Sequence, residues 1–122
     1  MIDLENVLSI HEQILSTEQG LKGSVDLGKL DSALNRIAHW QLYESTDNIF
    51  DIAALYATAI AKAHAFSDGN KRTAMFTMLS YLETQGVVIE ENQGLDDIMV
   101  LVADSKISID ELSAFLQKNS ID

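Results

Sequence analysis

The sequence contains no cysteine and no proline. Without cysteine, neither a disulfide framework nor a thiolate metal site is possible, and the absence fits a reducing compartment. Without proline, every helix start must rely on polar caps. No apolar run approaches the roughly 18 residues of a membrane span; the longest runs only from Ile52 to Ala61. Met1 leads at once into Asp3 and Glu5 rather than into a basic-then-apolar leader, so a cytoplasmic location without membrane attachment is the expectation. Positive charge is also scarce. Eight Lys and Arg stand against nineteen Asp and Glu, for a formal net charge of −11. Such a surface repels phosphate backbones and argues against direct nucleic-acid binding.

What is present is helical periodicity over most of the 122 residues, a length that fits one domain, 1–122. Leu4, Val7, Leu8, His11, Ile14 and Leu15 form an apolar stripe at helical spacing. Gln19 to Val25 reads as a loop or flap. Asp26 is placed to cap a helix with Leu30, Ala33, Leu34 and Ile37 inward and His39 and Trp40 at its end. Ser45, Thr46 and Asp47 offer caps for a helix toward Ala63 that is apolar on most sides, as a surrounded helix would be. Met75, Met78, Leu79 and Leu82 form another inward stripe, ending at Gly86. "VVIEEN" reads as a short extended piece, a helix covers Leu95 to Val102, and Ser108 with Glu111 forms a capping box before the last helix. The expected fold is all-α, about six helices with a small flap and a short hairpin.

One stretch, "HAFSDGNKRTA" from His64 to Ala74, breaks a local rule. Helix starts favour acidic residues, yet Lys71 and Arg72 sit where a helix begins after Ser67, Asp68 and Gly69. An anion would restore the balance. The first N–H groups of that helix have no earlier carbonyl to bond, Gly69 permits close backbone approach, and the two cations surround the same point. Asp68 supplies a hard oxygen ligand suited to Mg²⁺ between phosphates. His64, on the opposite lip of the turn, can take a proton near neutral pH. Phe66 is expected to point down as an anchor. Base, metal ligand and phosphate cradle together point to phosphoryl or nucleotidyl transfer to a hydroxyl. Each residue also has a plainer reading: a helix-end histidine, a turn aspartate, a turn glycine, a solvated cation pair. His11, on an apolar stripe, reads as a hydrogen-bonded core histidine, and three histidines so far apart give no zinc-site spacing. Glu90, Glu91, Asp96 and Asp97 read as a solvated face.

"HAFSDGNKR" resembles the HxFx(D/E)GN(G/K)R motif of the Fic/Doc superfamily, and Lys71 matches its Doc (death-on-curing) branch. "LSIHEQIL" is similar to the family's first helix, "GLKGSVDLGKLDSAL" to its flap and next helix, and "LETQGVVI" to the continuation of the core. The resemblance implies a toxin of a toxin–antitoxin pair that moves the γ-phosphoryl group of ATP to a threonine of elongation factor Tu and halts translation. It implies His64 as base, Asp68 as Mg²⁺ ligand, and Gly69, Asn70, Lys71 and Arg72 as phosphate binders through backbone and side chains. Lys62 would add charge near the nucleotide. The flap, Leu21, Lys22, Gly23, Ser24 and Val25, would pair with target backbone.

AMP-transferring relatives carry glycine in place of Lys71 and a second arginine in place of Met75, so AMP transfer is the alternative; a catalytically silent partner-binding module is another. The family's inhibitory pattern, (S/T)xxxE(G/N), is not met. Glu5-Asn6 and Glu91-Asn92 are the candidates, but Met1 and Val87 occupy the hydroxyl position. Restraint is therefore expected from a separate Phd-like antitoxin, which would also supply DNA binding.

Overall fold

A computed structural model describes residues 2–17, 25–44, 47–90 and 93–121. Its elements run α1 (Leu4–Thr17), α2 (Leu27–Glu44), α3 (Ile49–Ala63), α4 (Asn70–Thr84), β1 (Val88–Ile89), α5 (Gln93–Ala103), α6 (Ile109–Lys118) and β2 (Ser120–Ile121). The all-α expectation holds, with six helices and one two-stranded sheet among the described residues. None of these helices is long and apolar enough to cross a membrane.

The architecture follows from α3. Ile52, Ala53, Ala54, Leu55, Tyr56, Ala57, Ile60 and Ala61 are all buried, so the helix must be surrounded, and α2, α4, α5 and α6 pack against it. The alanines let those neighbours approach closely. On α4, Ala74, Met75, Met78 and Leu82 are buried, and α1 and α5 cover its flanks. Val7, Leu30, Ile37, Val102, Leu112 and Leu116 bring every other helix into the same cluster.

Local chemistry sets the helix ends. Asp26 caps α2, its Oδ1 accepting from the Lys29 N–H at 3.0 Å. Ser108 and Glu111 form the expected reciprocal capping box at α6. At α3 the cap is Asn48, whose Oδ1 accepts from Phe50 N–H at 2.9 Å and Asp51 N–H at 3.2 Å. Asp47 is therefore one residue early, and Ser45 and Thr46 lie outside the described residues. Helix α2 continues past His39 and Trp40 to Glu44, so those two do not end it. Gly86 follows the end of α4 with φ +79°, as a stop glycine should.

The extended piece at Val88–Ile89 is present, but its partner is not a neighbouring hairpin arm. It pairs antiparallel with β2, Val88 opposite Ile121 and Ile89 opposite Ser120. The opposite end of the chain is tied down as well. Ile2 N–H donates to the Tyr56 hydroxyl at 3.1 Å, and that hydroxyl donates to the Ile2 carbonyl at 3.3 Å.

Burial pushes the phenols of Tyr56 and Tyr81 above their ordinary value of 10.0. A raised folded-state value means stability is fully present below the unfolded value and is lost as pH rises through the folded one. Stability should thus be flat in pH near 9 (about one unit below the ordinary phenol value) and fall above it. Tyr56→Phe should lose about 1–2 kcal/mol from the Ile2 bonds and show a shallower alkaline decline, read by urea unfolding at several pH values.

Candidate active site

The link between α3 and α4 reverses the chain. Helix α3 stops because His64 adopts the left-handed conformation, with φ 51° and ψ 41°. Histidine enters that region more readily than most residues, though still at a cost. Gly69, with φ +80°, then opens α4. A Cβ there would meet the His11 ring at an ordinary 3.6 Å, so it is the backbone angle rather than space that calls for glycine.

Between these residues the turn is closed from inside. Asn70 Nδ2 donates to the Phe66 carbonyl at 2.8 Å, and its Oδ1 accepts from the Phe66 N–H at 3.1 Å. Both ends of that amide are therefore engaged with one buried residue of the turn. The Asn70 side chain, expected to help bind phosphate, thus has a structural role in the turn, and the residue also lines the cleft at the start of α4. Phe66 is the expected anchor, buried and stacked on His11. His11 is likewise the hydrogen-bonded core histidine expected, with Nε2 at 2.9 Å from the Asp68 carbonyl.

Outside this closed interior lies a cleft of about 390 Å³. It is lined by His64, Asp68, Gly69, Asn70, Lys71 and Arg72, together with Ala61, Ser67, Ala103 and Asp104. The first intrahelical bond of α4 runs from Thr73 N–H to the Gly69 carbonyl at 2.9 Å, and Gly69, at the cap position, supplies no side-chain hydrogen bond. The N–H groups of Asn70, Lys71 and Arg72 thus precede that bond at the positive end of a helix. Asp68 Oδ1 accepts from the Gly69 N–H at 2.8 Å, which holds the carboxylate beside the helix start.

For a divalent cation the donor chemistry fits in one way. No group of three His, Cys, Asp or Glu able to hold a metal exists among the described residues. A single carboxylate, Asp68, beside a helix start would suit a hard divalent ion only if the ion's other ligands came from a bound ligand and water.

Lys62 is placed outside the cleft lining. It lines a separate groove of about 580 Å³ with Arg36, Trp40 and Leu55, not the cleft. Of the flap, Val25 forms an antiparallel bridge to Phe66, and Asp26 N–H donates to the Ala65 carbonyl at 2.7 Å. Leu21, Lys22, Gly23 and Ser24 lie outside the described residues. Glu90, Asp96 and Asp97 are exposed as expected, and Glu91 lies outside the described residues.

Asp104 was missed in the sequence. It sits where α5 ends, followed by Ser105 at φ 58° and closed by Lys106 N–H to the Leu101 carbonyl at 2.9 Å. Its signal was a carboxylate at the negative end of a helix, where a cation is favoured. Met75 is buried, and a further recess of about 230 Å³, lined by Lys71, Arg72, Met75, Asp96, Met99 and Val100, adjoins the two cations.

Asn70→Ala removes two hydrogen bonds and leaves the buried Phe66 backbone unsatisfied. A loss of about 2–4 kcal/mol is expected, read as a lower urea midpoint with an unchanged slope.

The sequence is similar to known proteins over nearly its whole length. The model of the Fic/DOC family matches residues 1–82. The chain is 31% identical over 117 residues to "Protein kinase doc" of Escherichia phage P1, covering 96% of this chain and 93% of the relative. It is 30% identical over 120 residues to "Toxin Doc" of Mycolicibacterium smegmatis, covering 94% and 89%. An all-helical chain whose HxFx(D/E)GN(G/K)R turn lines one cleft, and which matches these proteins nearly end to end, belongs to the Fic/Doc family.

Proposed function

We propose that the chain is a Doc-type toxin, a phosphotransferase that carries the γ-phosphoryl group of ATP to a threonine or serine hydroxyl of a protein. Elongation factor Tu is the expected target and arrest of translation the outcome. The observation that carries this reading is the gathering of His64, Asp68, Lys71 and Arg72 around a cleft at a helix start whose cap residue is Gly69. The printed names of the two relatives, a protein kinase and a toxin, support it.

In this reading the backbone N–H groups of Asn70, Lys71 and Arg72, with the two cationic side chains, bind phosphate oxygens. His64 takes the proton of the target hydroxyl as that oxygen attacks the γ-phosphorus. The bond from the γ-phosphorus to the bridging oxygen breaks, and ADP leaves with the electron pair. Asp68 would hold Mg²⁺, which when bound neutralises charge on the phosphates. Most of the acceleration comes from positioning and charge stabilisation. The flap would present the target as an added strand, its Val25 end tied beside the turn.

Lys71 and the buried Met75 favour γ-phosphoryl over AMP transfer. They stand where AMP-transferring relatives have glycine and a second arginine, so one position is filled and the other carries no charge. Restraint would come from a cognate Phd-like antitoxin, and with a net charge of −11 the DNA contacts would fall to that partner.

The test is transfer from ATP labelled at either the γ- or the α-phosphate to the target protein. Label should arrive from the γ position only, and chelation of Mg²⁺ should abolish it. His64→Ala should lower turnover by about 10²–10⁴-fold while leaving the melting temperature nearly unchanged. Label arriving from the α position would replace the kinase reading with AMP transfer. No transfer, together with equal toxicity of wild type and His64→Ala, would leave a silent binding module.

A further inference from the structure

We propose that His11 is a positioning residue that sets the phosphate-binding turn from helix α1, acting through the main chain of Asp68; this rests on the cleft being the catalytic site. His11 is only 6% exposed, one of few polar side chains buried among the described residues. Its Nε2 lies 2.9 Å from the Asp68 carbonyl oxygen. A carbonyl only accepts, so Nε2 must carry the hydrogen, which fixes the neutral ring as the Nε2–H form.

The ring is held by more than that bond. It lies flat on Phe66, with centroids 3.8 Å apart and planes 16° from parallel. The same ring faces Gly69, where a Cβ would come within 3.6 Å. One imidazole thus contacts the turn at Phe66 and Asp68 and faces it at Gly69. Asn70 clamps Phe66 from the α4 side, and His11 supports the turn from α1.

The consequence is mechanical. The carbonyl of Asp68 is bonded inward to His11, while Asp68 lines the cleft with His64 and its carboxylate accepts from the Gly69 N–H. Fixing one side of a residue restricts the direction of the other, so the hydrogen bond orients a proposed metal ligand without touching metal, nucleotide or target. Outer groups that orient ligands commonly matter by about 10–100-fold, and small misplacements of reacting groups have effects of about the same size.

Three measurements test this on the full chain. His11→Phe keeps a flat ring for Phe66 and removes the donor, whereas His11→Gln restores a donor without the ring. In γ-phosphoryl transfer, His11→Phe should lower kcat by about 10–100-fold with the KM for the target protein unchanged and a higher Mg²⁺ requirement. His11→Gln should recover part of that loss. Amide hydrogen exchange should rise for Gly69 to Arg72 in His11→Phe while the α2 and α3 amides keep their protection. Nitrogen-15 spectra of the wild-type protein should show the proton of the neutral His11 imidazole on Nε2.

Wild-type kcat and exchange in His11→Phe would overturn the proposal, as would a neutral ring protonated on Nδ1. Should His11→Phe fail to fold, His11→Asn, whose shorter side chain does not reach the carbonyl, is judged by the same readouts. If the wild-type protein transfers no phosphate, the proposed function fails. The exchange and imidazole measurements then decide on their own whether His11 holds the turn.

Discussion

The reversal between Ala63 and Asn70 is the constraint on which the rest of the molecule depends. It must bring the end of a surrounded helix and the start of the next to one surface, yet bury Phe66 beneath them. A buried peptide group left without partners costs about 1–3 kcal/mol. The Asn70 amide answers that cost at Phe66 by supplying one acceptor and one donor. With the interior satisfied locally, the first turn of α4 lines the cleft. Structural and functional roles are thereby divided within a single short motif.

Much of this was legible because it is local. The caps at Asp26 and Ser108, the inward stripes, the isolated core histidine and the helix–turn–helix placement of the motif all depend on residues a few positions apart. What could not be read depends on distant partners. Val88 and Ile89 signal extended backbone, but nothing nearby says that Ser120 and Ile121 will complete the pair. Asn70 looks like a polar group available to a ligand until Phe66 is seen between its two amide atoms. Asn48 and Asp47 are both good caps in isolation, and where the packed helix begins decides between them. Lys62 is close to His64 in sequence, yet it lines a different groove.

The cleft also collects departures from local preference. His64 is left-handed without being glycine, at a cost of about 1–2 kcal/mol. Cations stand at the positive end of α4, and Asp104 stands at the negative end of α5. Each is unfavourable alone, and all of them line the same space. Sites that accept such local penalties are those where a bound group changes the balance. The burial around α3 is what lets the fold tolerate them.

The late partners of early elements bear on how the protein is made. Helix α3 needs α6 across it, and β1 needs β2, so one apolar side of the central helix stays uncovered on a nascent chain until α6 has left the ribosome. Domains fold as units during synthesis, and incomplete ones expose adhesive surface. A chain translated only through α4 would carry the whole motif without the packing of α5 and α6, so competence would wait for those later helices rather than arrive with the motif.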